Sequence, residues 1–133
     1  MEQTPLYEGF SEYIRVFAPC NKKCGKVIQR MKLLAPMVIG GPIVGLAYLF
    51  RSFRGRMNLL CADSCRQKAL LVQIKSEKDP LKKRKYMKKL VRTKKDIATH
   101  EAYIKRRLEQ VRKISPDKYN KFLQLYKAVK RVS

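Results

Sequence analysis

The sequence predicts an all-α protein in an extended arrangement, with an amphipathic N-terminal helix, one transmembrane helix, and long basic C-terminal helices that lack a large core of their own. Three observations predict it: repeated helix-start signals, a long uncharged apolar run, and apolar side chains at helical spacing. They divide the chain into an N-terminal amphipathic helix with a CxxxC pair (1–32), a membrane span (33–50), a second CxxxC helix (51–79) and a basic helical arm (80–133).

Helix starts are marked three times by a capping side chain followed by proline, at Thr4-Pro5, Asp79-Pro80 and Ser115-Pro116. The Thr, Asp or Ser oxygen accepts a hydrogen bond from a free first-turn amide, and proline at the first helical position sacrifices no hydrogen bond. The sequence therefore predicts helices over about 5–18, 80–114 and 116–131. Residues 57–76 also follow a helical pattern.

Two narrow apolar stripes run along the basic arm. The first recurs every seven residues, at Leu90, Ile97, Ile104 and Val111, and the second has helical spacing, at Tyr119, Phe122, Leu123, Tyr126 and Val129. In an extended chain both stripes would be exposed, and exposed apolar stripes usually mark partner sites. We therefore expect the arm to bind other protein subunits.

Residues 33–50 form an apolar run of 18 residues that carry no charge and no side-chain amide. A helix of that length is about 27 Å long, close to a hydrocarbon core of ~30 Å. Cations flank both ends, and Gly41 and Gly45 stand four residues apart, a spacing that lets a second helix approach closely. We predict a transmembrane helix here; the alternative is a buried hairpin that turns at Gly40-Gly41-Pro42.

The charge of the chain is high and uneven. Its formal net charge is +22, of which residues 1–65 contribute +5 and residues 66–133 contribute +17. Self-repulsion of this size predicts a polyanionic partner, which is nucleic acid, an anionic membrane or an acidic protein surface. Because no secretory signal is recognisable, we expect a single-pass protein of the mitochondrial inner membrane, with its C-terminus in the matrix and cardiolipin as an anionic partner.

The cations expected to bind lipid, RNA or a protein partner cluster in the basic arm, at Lys82, Lys83, Arg84, Lys85, Lys88, Lys89, Lys94, Lys95, Lys105, Arg106 and Arg107. Each Lys or Arg near an anionic leaflet is worth about 1 kcal/mol. Phosphate contacts on nucleic acid are likewise additive and depend on salt. The alternative for such a run is a solvated helix face.

Four cysteines form two CxxxC pairs, Cys20/Cys24 and Cys61/Cys65, and residues four apart share one face of a helix. The doubled spacing resembles the twin CxxxC proteins of the mitochondrial intermembrane space, the small Tim chaperones and their coiled-coil-helix relatives. The resemblance implies two antiparallel helices joined by Cys20–Cys65 and Cys24–Cys61 bridges. A span at 33–50 would place the pairs on opposite sides of the membrane and prevent these bridges. Free half-buried thiols and a four-thiolate zinc site are the other interpretations.

Catalytic machinery cannot be assembled from this sequence. The chain has one histidine, His100, ten scattered acids and no Gly-rich phosphate loop, so neither a nucleophile–base pair nor a carboxylate pair is recognisable. We interpret His100 as a solvated or partner-facing residue. We expect no enzyme activity, no cofactor and no small-molecule substrate.

The sequence thus predicts a non-catalytic accessory subunit of a large membrane assembly, such as a respiratory complex or ATP synthase. The alternative is an RNA-binding structural protein of an organellar ribosome, because a strongly basic chain with thin apolar stripes suits folding around RNA. The apolar run at 33–50 argues against that alternative.

Overall fold

The described part of the chain folds into four helices. The computed structural model describes residues 5–39 and 45–132, with side chains for residues 11–36 and 45–132. In chain order the helices are α1 (Pro5–Ile39), α2 (Leu46–Ser76), α3 (Pro80–Ile114) and α4 (Pro116–Val132). Helix α2 packs against each of the other three helices, and α4 also contacts α1 and α3. Helix α2 is therefore the centre of the fold.

Capping side chains fix the starts of the two C-terminal helices where the sequence predicts them. The Asp79 carboxylate accepts a hydrogen bond from the Leu81 amide at 3.0 Å, and the Ser115 hydroxyl accepts one from the Lys118 amide at 3.4 Å. Helix α1 begins at Pro5 but continues to Ile39, far beyond the end predicted near residue 18. Its Thr4 cap lies outside the described residues.

The apolar run at 33–50 is shared between two helices and does not form one. Helix α1 ends at Ile39 and α2 begins at Leu46; the turn predicted in the alternative interpretation, at Gly40-Gly41-Pro42, lies outside the described residues. Across residues 5–39 and 45–132, none of the helices is both long enough and apolar enough to cross a membrane. The predictions of a transmembrane helix and of a single-pass inner-membrane protein with its C-terminus in the matrix are therefore wrong.

Residues 33–50 do not form a membrane span because several of their side chains pack inside the protein. Leu46, Leu49 and Phe50 are buried in the core, whereas Leu33 is 76% exposed and Tyr48 68% exposed. A lipid-facing helix would be apolar all round, but here α2 is apolar on one side only. The run therefore buries apolar side chains by packing α1 and α2 against each other, and not by crossing a bilayer.

Two disulfides join α1 and α2 in the pairing that the resemblance implies. Cys20 bonds to Cys65 and Cys24 bonds to Cys61, with Cα–Cα distances of 5.6 and 5.8 Å. The bridges are nested, since the shorter loop lies inside the longer one, and nested pairs of this kind require antiparallel helices. All four sulfurs are engaged, so neither free thiols nor a zinc site of four thiolates describes this state.

Helices α3 and α4 complete a core around α2. Ile104 and Val111 of the first stripe and Phe122 and Val129 of the second are fully buried. The ring centroids of Phe122 and Phe53 lie 5.1 Å apart, and aromatic pairs at this separation are stabilising. The expectation of an extended arrangement without a large core is therefore wrong, because the stripes predicted to face partners pack within the chain.

A polar contact also ties α4 to α3. The Glu101 carboxylate accepts hydrogen bonds from the Lys130 ammonium at 2.7 Å and from the Tyr126 hydroxyl at 3.3 Å. The bond with Lys130 holds the pKa of Glu101 below its ordinary value of 4.5. Burial, reinforced by the Glu101 carboxylate, raises the pKa of Tyr126 to about 12. The ionised carboxylate is therefore the form that the fold favours.

We expect Glu101→Gln to lower the free energy of unfolding at pH 7 by about 0.5–1 kcal/mol, the value of a partly exposed ion pair. Because the folded-state pKa is depressed, the stabilisation is present above the unfolded pKa and is lost as the pH falls through the folded one. Urea unfolding at pH 7 and at progressively lower pH should therefore show the two proteins converging below about pH 4.5. Glu109→Gln is the control for the size of the effect and should cost less, since its ion pair with Arg112 joins two exposed side chains of α3. A pH-independent Glu101→Gln effect would contradict the assignment.

Candidate functional site

The predicted anion-binding cations of α3 lie at the protein surface. Among the cations at 82–95, all are exposed except Lys82, which is half-buried. Within the described residues, none of the cations at 82–95 takes part in an ion pair. Their charge is therefore available to an external anion.

Five exposed cations form a line along α3 opposite its buried stripe. At 3.6 residues per turn, Arg84, Lys88, Lys95, Arg106 and Lys113 point away from the side that carries Leu90, Ile104 and Val111, and all five are exposed. The line runs about 43 Å along the helix axis at 1.5 Å per residue. We call these five residues the α3 basic line.

The remaining predicted cations lie elsewhere on α3. Lys105 is exposed, whereas Arg107 is half-buried and donates a hydrogen bond to the Tyr103 hydroxyl at 2.6 Å. Arg56 of α2 stacks on the same ring at 4.0 Å from its centroid. The hydrogen bond with Ser52, and then that with Arg107, lowers the pKa of Tyr103. Tyr103, which Arg107 contacts within α3, therefore joins α2 to α3, which the sequence did not reveal.

The single histidine also joins these helices, contrary to the prediction that it faces solvent or a partner. His100 Nε2 lies 2.9 Å from an Asp63 carboxylate oxygen, and His100 Nδ1 lies 3.2 Å from Arg56 Nη1. Because Arg56 can only donate, Nδ1 accepts, and the proton is therefore on Nε2 and bonds to Asp63. Arg66 pairs with the other Asp63 oxygen. Asp63 is buried, and these donors balance its charge.

The predicted helix-packing glycines do not meet another helix in the described part of the chain. Gly45 precedes α2 with φ of 92°, in the left-handed region that favours glycine. A Cβ atom there would meet nothing within 4 Å. Gly41 lies outside the described residues. Gly45 therefore serves the backbone conformation at the start of α2.

A cleft opens where α1 and α3 both approach α2. Its volume is about 430 Å³, within the range of small-ligand sites. Its lining includes Tyr13 from α1, Gln73 from α2, and Tyr86, Lys89 and Arg92 from α3. Of these only Lys89 was predicted as a site residue. Tyr13 and Lys89 are far apart in sequence, so no local pattern could have brought them together.

Comparison with known proteins adds no relative from which a role could be transferred: no family model, no curated protein and no solved structure matches the chain. A role for the chain is therefore inferred from the geometry and charge of the described residues.

Proposed function

We propose that this chain is a non-catalytic RNA-binding protein that serves as a structural component of a large RNA–protein assembly, such as a ribosome. Its disulfide-joined α1–α2 pair would provide a rigid base, and α3 would present the cations that contact RNA phosphates. The single observation that carries the proposal is the α3 basic line, a row of five exposed cations on the side of the helix away from the core.

Burial of both apolar stripes supports a charged rather than an apolar partner. Ile104, Val111, Phe122 and Val129 are covered by the chain itself, so the arm no longer needs another subunit to hide them. What remains exposed on α3 includes twelve Lys and Arg side chains, beside the apolar Leu81, Met87, Val91 and Ile114. Neutralisation of a one-signed surface by polyphosphate releases counterions and gives strong, salt-dependent binding.

Because residues 33–50 do not form a transmembrane helix, the run no longer disfavours an RNA-binding protein. The apolar run at 33–50 was the feature that disfavoured a ribosomal protein, and part of it now belongs to the core. A subunit of a respiratory complex or ATP synthase stays a prediction, and binding to cardiolipin is the competing outcome of the experiment below.

The test compares RNA with anionic lipid as the ligand of the full-length, oxidised protein. We expect binding to a mixed-sequence single-stranded RNA, followed by fluorescence anisotropy, with a log–log salt slope of roughly −4, which corresponds to about six phosphate contacts at about 0.7 each. Vesicles of phosphatidylcholine with cardiolipin serve as the second ligand, and vesicles of phosphatidylcholine alone as the control. Tighter binding to cardiolipin vesicles than to RNA near physiological salt would contradict the proposal.

A further inference from the structure

The cleft between α1, α2 and α3 combines aromatic rings with positive charge. Tyr13 and Tyr86 contribute rings from α1 and α3, and Lys89, Arg92 and Arg66 contribute cations. Asp96 is the one acid among the lining residues, so cations outnumber it three to one. This composition differs from the α3 basic line, which carries charge but no tyrosine.

One largely buried side-chain amide forms part of the cleft wall. Gln73 is 6% exposed and lines the cleft. Its backbone carbonyl is already used, by the Ser76 hydroxyl and the Glu77 amide. A side-chain amide both donates and accepts hydrogen bonds, so one on a cleft wall suits a polar ligand with both donors and acceptors.

We propose that this cleft holds one unpaired nucleotide of the bound RNA. Its base would stack on Tyr13 or Tyr86, its edge would bond with the Gln73 amide, and its phosphate would contact Lys89 and Arg92. Single-stranded RNA is recognised by stacking of splayed bases on aromatic side chains together with contacts to base edges and phosphates. A cleft of about 430 Å³ has room for one nucleotide.

The inference depends on the proposed RNA binding and makes it more specific. The α3 basic line predicts affinity for any RNA, because phosphates are present in single strands and duplexes alike. The cleft predicts an additional preference for single strands, because a base in a duplex is paired and stacked and cannot enter. The two claims can therefore fail separately.

The experiment measures both affinities in full-length variants. In the double variant Tyr13→Leu with Tyr86→Leu we expect the affinity for single-stranded RNA to fall about 5- to 150-fold, the range for one stacked base. The affinity for the same RNA annealed as a duplex should stay unchanged. The double variant with Phe at both positions keeps the rings and should bind like wild type. Tyr48→Leu is the matched control, because Tyr48 is exposed and does not line the cleft.

Photochemical cross-linking tests whether the cleft holds a nucleotide even if the Leu variant unfolds. Wild-type protein cross-linked to 4-thiouridine RNA and digested should give adducts on peptides that contain Tyr13 or Tyr86. Adducts confined to other peptides, or a folded Leu variant that keeps its single-strand preference, would overturn the cleft assignment while leaving RNA binding intact. Absence of any RNA binding by wild type would overturn both.

Discussion

Replacing all four cysteines by alanine should lower the free energy of unfolding by about 7 kcal/mol, which approaches the whole stability of a typical domain. The outer bridge, Cys20–Cys65, has a sequence separation of 45 residues, and closing a loop of that size is worth about 4 kcal/mol. Once it is closed, the inner bridge closes only a small ring and adds about 3 kcal/mol. Alanine is the suitable replacement because three of these cysteines are buried.

Variants with one bridge distinguish this account from simple loss of packing. Removing only Cys20 and Cys65, or only Cys24 and Cys61, should cost about 3 kcal/mol each, because the remaining bridge still closes nearly the same long loop. Removing both bridges should therefore cost more than the sum of the two single removals. Urea unfolding followed by circular dichroism measures all three variants. A four-alanine variant as stable as wild type would mean that the bridges do not hold the two helices together.

Neutralising the α3 basic line should give the largest change in function. The variant with Arg84, Lys88, Lys95 and Arg106 all replaced by glutamine should bind single-stranded RNA roughly 100- to 1000-fold more weakly at about 0.1 M salt, with a log–log slope shallower by about 3. Glutamine is a good helix former and the four positions are exposed, so the fold should persist. Anisotropy titrations over a series of salt concentrations give both quantities.

The matched control removes the same charge from α1. Lys22, Lys23, Lys26 and Arg30 are also exposed, and replacing them by glutamine lowers the net charge equally. We expect a much smaller loss of affinity, because the control leaves the α3 basic line complete. Equal losses in the two variants would show that net charge alone, and no particular face, attracts the RNA.

Local signals predicted the starts of α1, α3 and α4 and the buried faces of α3 and α4, but they could not identify what covers those faces. The stripe through Ile104 and Val111 is buried as its periodicity indicates. The sequence did not reveal that this cover comes from the same chain. An apolar stripe indicates only which side of a helix is buried. Either a partner protein or a neighbouring helix of the same chain can bury it.

The apolar run at 33–50 was misinterpreted for a related reason. Length and hydropathy are properties of the segment, whereas the difference between one spanning helix and two packed helices depends on distant residues. The ring centroids of Phe50 and Phe122 lie 5.8 Å apart, and the Cys20–Cys65 bridge encloses the whole run. The twin CxxxC spacing and the Gly40-Gly41-Pro42 segment were the sequence signals that pointed to the hairpin.

The polar contacts between helices were also beyond prediction. Asp63 and His100 are 37 residues apart, and the cleft brings Tyr13 within reach of α3 side chains. Neither pair follows from periodicity or spacing. The exposure of the basic residues could be predicted from the sequence, because a run of unpaired lysine and arginine must face solvent or an anion in any fold.

Release of the native full-length protein from its particle tests the central claim most directly. Cell lysate is divided into samples treated with RNase, with mild detergent or with neither, and the protein is followed by sedimentation. The account predicts that RNase moves the protein from a fast-sedimenting particle to the top of the gradient, while detergent leaves it in the particle. Release by detergent, with no effect of RNase, would contradict the account.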